Sequence, residues 1–341
     1  MEIEQFDPVS DAGRIRACHQ MFGASQSADD PHGPPMTLPV FTGWWACGWI
    51  GDPRETWLAT DPSGEPVGCY LLELPDRDNM STGYCVLIVM PSRRQAGIGS
   101  ALLRHCAGRA ARAGRQLLVS DTNDDSPGSR FARAMGARPG LADVRRVLNV
   151  DASLAGRLPA LRRAAQQRAA GYSLLSWSGP ASDENVDQVA AVNAAMADAP
   201  RDPSREAEQW DAARVRAAER RVAVQGLRYY SVAARSEETG ELAALTQLGT
   251  DPLLPGWGFQ ELTAVARRHR GHRLGMLVKV AMLDLFIPRE PLVQRILTAN
   301  GEDNEHMVAI NTQLGFQVLD RWHTWGLNVA DILADAAAPA V

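Results

Sequence analysis

Two α/β domains in tandem, each a mixed twisted sheet flanked by helices, are predicted by three observations in the 341-residue sequence. One succession of strand, glycine-bearing loop, helix, strand and helix occurs twice along the chain. In both copies an arginine follows the last strand valine by five residues, Arg94 after Val89 and Arg270 after Val265. The length also suits two domains of about 150 residues each. The domains read as 1–155 and 171–341, with 156–170 as a linker.

The first copy opens on Thr82-Gly83-Tyr84-Cys85-Val86-Leu87-Ile88-Val89, a short apolar run that reads as a buried strand. Pro91 stops it, and Arg94-Gln95-Ala96-Gly97-Ile98-Gly99 forms the loop. Ile98, Ala101, Leu102 and Cys106 then recur at helical spacing on one face. A short strand, Gln116-Leu117-Leu118-Val119-Ser120, and a helix ending at Met135-Gly136 complete the copy. Residues 151–170 are rich in Ala, Arg and Gln and read as a solvated connecting helix or linker. Residues 171–178 start a new strand.

The second copy keeps this order. Phe259-Gln260-Glu261-Leu262-Thr263-Ala264-Val265 is the strand and Arg270-Gly271-His272-Arg273-Leu274-Gly275 the loop. Leu274, Leu277, Val278, Ala281, Met282 and Leu285 stripe the helix behind it. Arg295-Ile296-Leu297-Thr298 is the next strand, and the closing helix ends at Leu314-Gly315-Phe316. Upstream, Asp29-Asp30-Pro31 is echoed by Asp198-Ala199-Pro200.

Composition narrows the function. With 35 Lys plus Arg against 40 Asp plus Glu, the net charge of −5 argues against a protein that works by neutralising duplex phosphates, so no nucleic-acid partner is expected. No apolar run is long enough to span a bilayer, and Met1-Glu2-Ile3-Glu4-Gln5 lacks the basic start of a signal peptide. The expectation is a cytoplasmic protein with no membrane partner. The five cysteines show no metal-knuckle or redox-pair spacing, and the histidines form no His-x-x-x-His pattern, so no metal is expected.

A strand that ends in Arg-x-x-Gly-x-Gly and opens a helix is suited to an anion. The first turn of a helix leaves N–H groups unpaired, its dipole favours negative charge, and glycine admits close approach. The segment from Val89 to Leu103 resembles the acetyl-CoA motif of the GNAT superfamily of acyltransferases, Gln/Arg-x-x-Gly-x-Gly/Ala after a strand ending in Val-x-Pro. It is neither a dinucleotide loop, whose glycines follow the first strand of a βαβ unit, nor a Walker loop, which needs Gly-Lys-Ser/Thr. The resemblance covers most of residues 50–140 and returns over about 225–326.

It implies acetyl-CoA as co-substrate and transfer of its acyl group to the amine of a small molecule. The amides from Gln95 through Ala96, Gly97, Ile98 and Gly99 to Ser100 would bind the pyrophosphate, with Arg94 leading the loop. Ile88 and Val89 would pair with the pantetheine amides as an added strand does. In the second half Val265, Arg270, Gly271 and Gly275 would do the same, although Arg273 stands where the motif has its first glycine. Asn304 falls where the superfamily often places an asparagine beside the pantetheine arm; both it and Asn300 also read as helix caps.

Attack of an amine on a thioester needs a proton acceptor. Glu261, four residues before Val265 and so on the same face of a regular strand, is the candidate base; it also reads as an exposed strand-end glutamate. The tyrosine that serves many GNAT enzymes as general acid is replaced by Ala132 in one half and Asn311 in the other. Asp29, Asp30, Trp44 and Trp45, with Trp49 nearby, could line the acceptor side for a cationic amine, or the tryptophans fill the core and Asp30-Pro31 starts a turn. Two other functions stay open: a CoA-binding scaffold without turnover, and transfer to a protein or peptide amine. The oligomeric state is not readable from these features.

Overall fold

The computed structural model describes residues 1–48, 51–198 and 206–335. The chain divides into two compact units. Unit 1 comprises Met1–Asp143, Asp202–Glu206 and Asp320–Val341, and unit 2 comprises Val144–Arg201 and Ala207–Leu319. Each unit is thus assembled from separated stretches of chain.

Unit 1 runs β1 (Glu2–Phe6), α1 (Ala12–Asp29), α2 (Leu38–Cys47), β2 (Arg54–Thr60), β3 (Pro66–Glu73), β4 (Thr82–Val89), α3 (Ile98–Arg112), β5 (Leu117–Asn123), α4 (Pro127–Ala134) and the first half of β6 (Arg138–Asn149). Strands β1 to β4 form an antiparallel meander. Strand β5 joins β4 in parallel, the crossover between them being α3. Alternation along β4 sends Val86 and Ile88 to a core beneath α1 and α2, with Cys18, Phe41 and Trp45. Cys85, Leu87 and Val89 face the opposite core, with Leu102 and Cys106 of α3.

Unit 2 takes the second half of β6, then α5 (Ala152–Gln166), β7 (Tyr172–Ser178), α6 (Val186–Ala194), α7 (Ala212–Val224), β8 (Arg228–Ser236), β9 (Leu242–Thr250), β10 (Trp257–Val265), α8 (Leu274–Arg289), β11 (Arg295–Gly301) and α9 (Glu305–Leu314). The order across its sheet is β6-β11-β10-β9-β8-β7, with only β10 and β11 shown parallel among the registered pairs. One core lies under α5 and α8, the other under α6 and α7.

The chain then returns. Strand β12 (Gln317–Asn328) leaves unit 2 after Leu319 and pairs antiparallel with β5 of unit 1, Trp322 opposite Asn123 through Asn328 opposite Leu117. Helix α10 (Val329–Asp335) follows and buries Val329 and Ile332 among the α3-side residues.

Two features depart from the sequence reading. Residues 156–170 are not a linker: α5 buries Leu154, Leu158 and Ala165 in the core of unit 2, and the units divide at Asp143/Val144. Residues 320–335 do not complete the second domain but the first. Ala/Arg/Gln composition matches both a solvated helix and one packed by a single apolar stripe, which is how α5 was misread.

Candidate active site

In each unit the parallel pair of strands splays. The β4–β5 register ends at Tyr84 opposite Val119, and the β10–β11 register at Gln260 opposite Thr298. Beyond those points β4 and β10 keep their antiparallel neighbours, while the edges of 85–89 and 261–265 that face β5 and β11 carry no ladder. An open strand edge inside a fold offers backbone donors and acceptors to an extended amide-bearing ligand. At the two slot ends, Arg94 Nε reaches the Val89 carbonyl and Arg270 Nε the Val265 carbonyl, each at 3.4 Å. Ser25 Oγ lies at the same distance from the Val89 oxygen.

The loops after these strands share one backbone. Gln95 (φ 65°) and Gly97 (φ 77°) are left-handed in the first, Gly271 (φ 88°) and Arg273 (φ 55°) in the second. Each loop therefore places one glycine and one side-chain-bearing residue at the two left-handed positions. Arg273 does not change the loop path; it holds the conformation of Gly97 and bears the strain of a Cβ there. Helices α3 and α8 both start without a side-chain cap, whereas Asp11, Ser126, Asp151 and Asp211 cap α1, α4, α5 and α7. Exposed Gln95, Ala96 and Gly97 and half-buried Ile98 and Ser100 lie at the uncapped start of α3, where unpaired amides are open to an anion.

The last motif glycine of each loop also serves packing. A Cβ on Gly99 would come within 3.3 Å of Phe131, and one on Gly275 within 3.1 Å of Ile310. These glycines let α3 and α8 pack closely on side chains of α4 and α9.

The proposed acceptor wall in unit 1 is not supported. Asp29 accepts two hydrogen bonds from Arg94, at 2.9 and 2.7 Å, and so positions the loop arginine. Asp30 is buried and accepts from the Gly33 amide at 3.2 Å, as a turn former does. Trp45 is fully buried and stacks on Phe41 at 4.8 Å, and half-buried Trp44 meets Phe22 and Phe41 edge-on. Trp49, and the Ala199-Pro200 part of the upstream echo, lie outside the described residues.

Glu261 stands at a β-bulge. Between Gln260 and Thr263 strand β10 carries one residue more than β9, so the alternation breaks there. The expectation that Glu261 shares a face with Val265 is therefore corrected. Val265 packs with the α8 core, while Leu262 packs under α6 and α7, the side on which Arg221 of α7 faces the Glu261 carboxyl. Glu261 is exposed on β10, and the protein near its carboxyl pushes the pKa up while Arg221 offsets part of the rise.

Tyr229 joins this cluster, a residue the sequence reading missed. It lies across Gly249, the cross-strand neighbour that leaves room for its ring, and burial with the nearby Glu261 charge raises its hydroxyl pKa well above the ordinary value. The adjacent Tyr230 points to the other face and donates to Glu290 at 2.6 Å. In unit 1 the position equivalent to Glu261 is Cys85. The β3–β4 register is unbroken there, so Cys85 stays in the α3-side core, 3.4 Å from Cys106 Sγ.

Asn304 resolves as a helix cap, accepting from the Met307 amide at 3.1 Å. Asn300 caps nothing; its Oδ1 accepts from Asn311 Nδ2 at 2.6 Å. Among the described residues no group of three or more His, Cys, Asp or Glu could hold a metal ion, and no helix is long and apolar enough to cross a membrane.

Residues 17–136 match the Acetyltransferase (GNAT) family. Over 96% of its length the chain is similar to a tandem GNAT protein from the clavulanic acid biosynthesis pathway, covering 98% of that chain at 28% identity and a TM-score of 0.80. A GCN5-related N-acetyltransferase from Sphaerobacter thermophilus shares the fold at 16% identity and TM-score 0.64, with 96% and 95% of the two chains covered. So does the glucosamine N-acetyltransferase region of a fungal multi-domain GH3 beta-N-acetylglucosaminidase, at 14% identity and TM-score 0.63, with 96% of this chain and 38% of that one covered. No curated protein matches the sequence. The splayed strands, the paired left-handed loops and these likenesses agree: the chain has the fold of a tandem GNAT protein, and residues 17–136 of its first unit match the GNAT acetyltransferase family.

Proposed function

We propose that the chain transfers an acetyl group from acetyl-CoA to the amine of a small molecule, and that unit 2 does the chemistry. The observation that carries this is Glu261, turned by the bulge of β10 onto the α7 side of the strand whose other edge is the open slot. In this reading the loop Arg270–Gly275 takes the pyrophosphate and the edge of 261–265 takes the pantetheine arm.

A carboxylate at Glu261 accepts a proton from the substrate ammonium. The neutral nitrogen then attacks the thioester carbonyl carbon, and a C–N bond forms as the C–S bond breaks. Backbone N–H groups of the splayed strand stabilise the oxyanion. The thiolate takes its proton from water, and that water receives the second proton the nitrogen releases as the amide forms, since neither Ala132 nor Asn311 is an acid. A raised carboxyl pKa suits this task, because a base is most effective when its pKa approaches the working pH. A small acceptor agrees with the 28%-identical protein's place in a small-molecule biosynthesis pathway. The five unbonded cysteines agree with a reducing, cytoplasmic setting.

Unit 1 has its own reading. With Cys85 in the core and Asp29 bound to Arg94, it fits a CoA-binding scaffold better than a second catalytic centre.

The test is Glu261→Gln, assayed by CoA release across a panel of small amines, amino acids and aminoglycosides. Turnover falls by a factor on the order of 10²–10⁴ while acetyl-CoA binding is kept, and the loss shrinks at high pH, where the amine is already neutral. Unchanged turnover in this variant removes Glu261 as base and returns unit 2 to a binding role.

A further inference from the structure

Lys279 is the only lysine in the chain, against 34 arginines, and it is buried. It sits on α8, where Leu274, Met276, Leu277, Val278, Val280, Met282, Leu283 and Phe286 are also buried, so an apolar side chain would fill the position at lower cost. Its Nζ donates to Asn311 Oδ1 at 2.7 Å and lies 5.3 Å from the Phe316 ring centre. Asn311, itself fully buried, reaches on to Asn300. Asn300 lies on β11 two residues past the last β10–β11 pair, and so borders the splayed slot of unit 2.

The three side chains form a relay with a fixed direction. As an ammonium, the form it holds below about pH 7, Lys279 has donors and no lone pair, so Asn311 turns its oxygen to it. The Asn311 amide NH₂ is then left to donate to Asn300 Oδ1. Asn300 in turn keeps only its NH₂ for anything in the slot. Without the lysine, either asparagine can reverse at little cost and offer an oxygen instead.

We propose that Lys279 is a positioning residue: through Asn311 it locks the Asn300 amide so that an N–H faces the slot, selecting a ligand that presents a carbonyl oxygen there. In the reading above, which this inference rests on, that ligand is the pantetheine arm of CoA. The point charge of lysine suits a site with a single amide acceptor better than the five-donor fork of arginine.

The experiment titrates CoA by calorimetry at pH 6, where Lys279 is charged, into full-length variants made in a Gly97→Asp background, which weakens binding at unit 1. Asn300→Ala weakens binding about tenfold by deleting the donor. Asn311→Asp is the decisive variant. A carboxylate strengthens the contact to Lys279 and keeps the fold, yet it cannot donate, so Asn300 must reverse; CoA affinity falls about tenfold while the melting temperature holds. Lys279→Met weakens binding similarly, and Lys279→Gln, whose amide can still donate to Asn311, stays within about threefold of the parent. Parental affinity in Asn300→Ala would overturn the unit 2 slot itself and this inference with it. Weakened binding in Asn300→Ala with parental affinity in Asn311→Asp would overturn the role of Lys279 alone.

Discussion

The Arg94–Asp29 pair joins the loop of unit 1 to the end of α1, with both side chains about a quarter exposed. Asp29→Asn keeps the shape and removes the charge; urea unfolding is expected to show a loss of about 1 kcal/mol, the scale of a partly solvated ion pair. Lys279 gives a second prediction, with the opposite dependence on charge. Burial lowers its amine from 10.5 to about 7. Between those values the unfolded chain binds more protons than the folded one, so the contribution of Lys279 to stability rises with pH. Relative to Lys279→Met, the parent gains stability from neutral pH to about pH 10, as urea midpoints across that range would show; a constant difference would mean the amine titrates normally. At this scale the sequence showed residue types but not their directions. Arg94 stood out by motif spacing, and Glu261 as the carboxylate on the strand before the second loop. Trp45 fills the core, the second of its two readings, because a tryptophan reads the same in sequence whether it faces a ligand or the core. Tyr229 was missed because nothing in Tyr229-Tyr230 says which ring faces the carboxylate.

Among elements, the two loops show how one backbone is reached by two sequences. Gly97 and Arg273 occupy equivalent left-handed positions, so Arg273→Gly relieves strain and stabilises unit 2 by up to about 1 kcal/mol. Since the path of the loop is already glycine-like, the arginine side chain is expected to act as a charge and not as an obstruction. CoA affinity of unit 2 should then fall a few-fold in Arg273→Gly; a gain in affinity would show that the side chain blocks the phosphate. In unit 1, Gly97→Asp adds a negative side chain to the loop and should weaken CoA there about tenfold by calorimetry. Strands, loops and helices were legible from periodicity and glycines. The bulge in β10 was not. One extra residue leaves the apolar pattern of Phe259 to Val265 intact, and only the register against β9 reveals it. That single residue separates a core cysteine in one unit from a candidate base in the other.

At the scale of the molecule, the repeat was legible and the path of the chain was not. Residues 317–335 follow the second copy directly, and no composition change marks their return to the first. Trp325, Val329 and Ile332 are buried in unit 1, each worth roughly 1.5–3 kcal/mol, a large part of the ~5–15 kcal/mol that holds a domain together. A fragment of residues 1–155, the domain the sequence suggests, is therefore expected to lack a cooperative melt by circular dichroism. Adding a peptide spanning 320–335 should restore part of it; a fragment that melts sharply alone would show that β12 is dispensable. The same strand sets a timetable for synthesis on the ribosome. Unit 1 begins first but cannot close its sheet until more than 300 residues have been translated, whereas the pieces of unit 2 are complete before β12 reaches β5. The amino-terminal half must wait, part-built and with β5 unpaired on one side, while its carboxy-terminal neighbour matures. Any chaperone that attends this chain would find its longest-lived exposed edge at β5, in the half whose synthesis finished first.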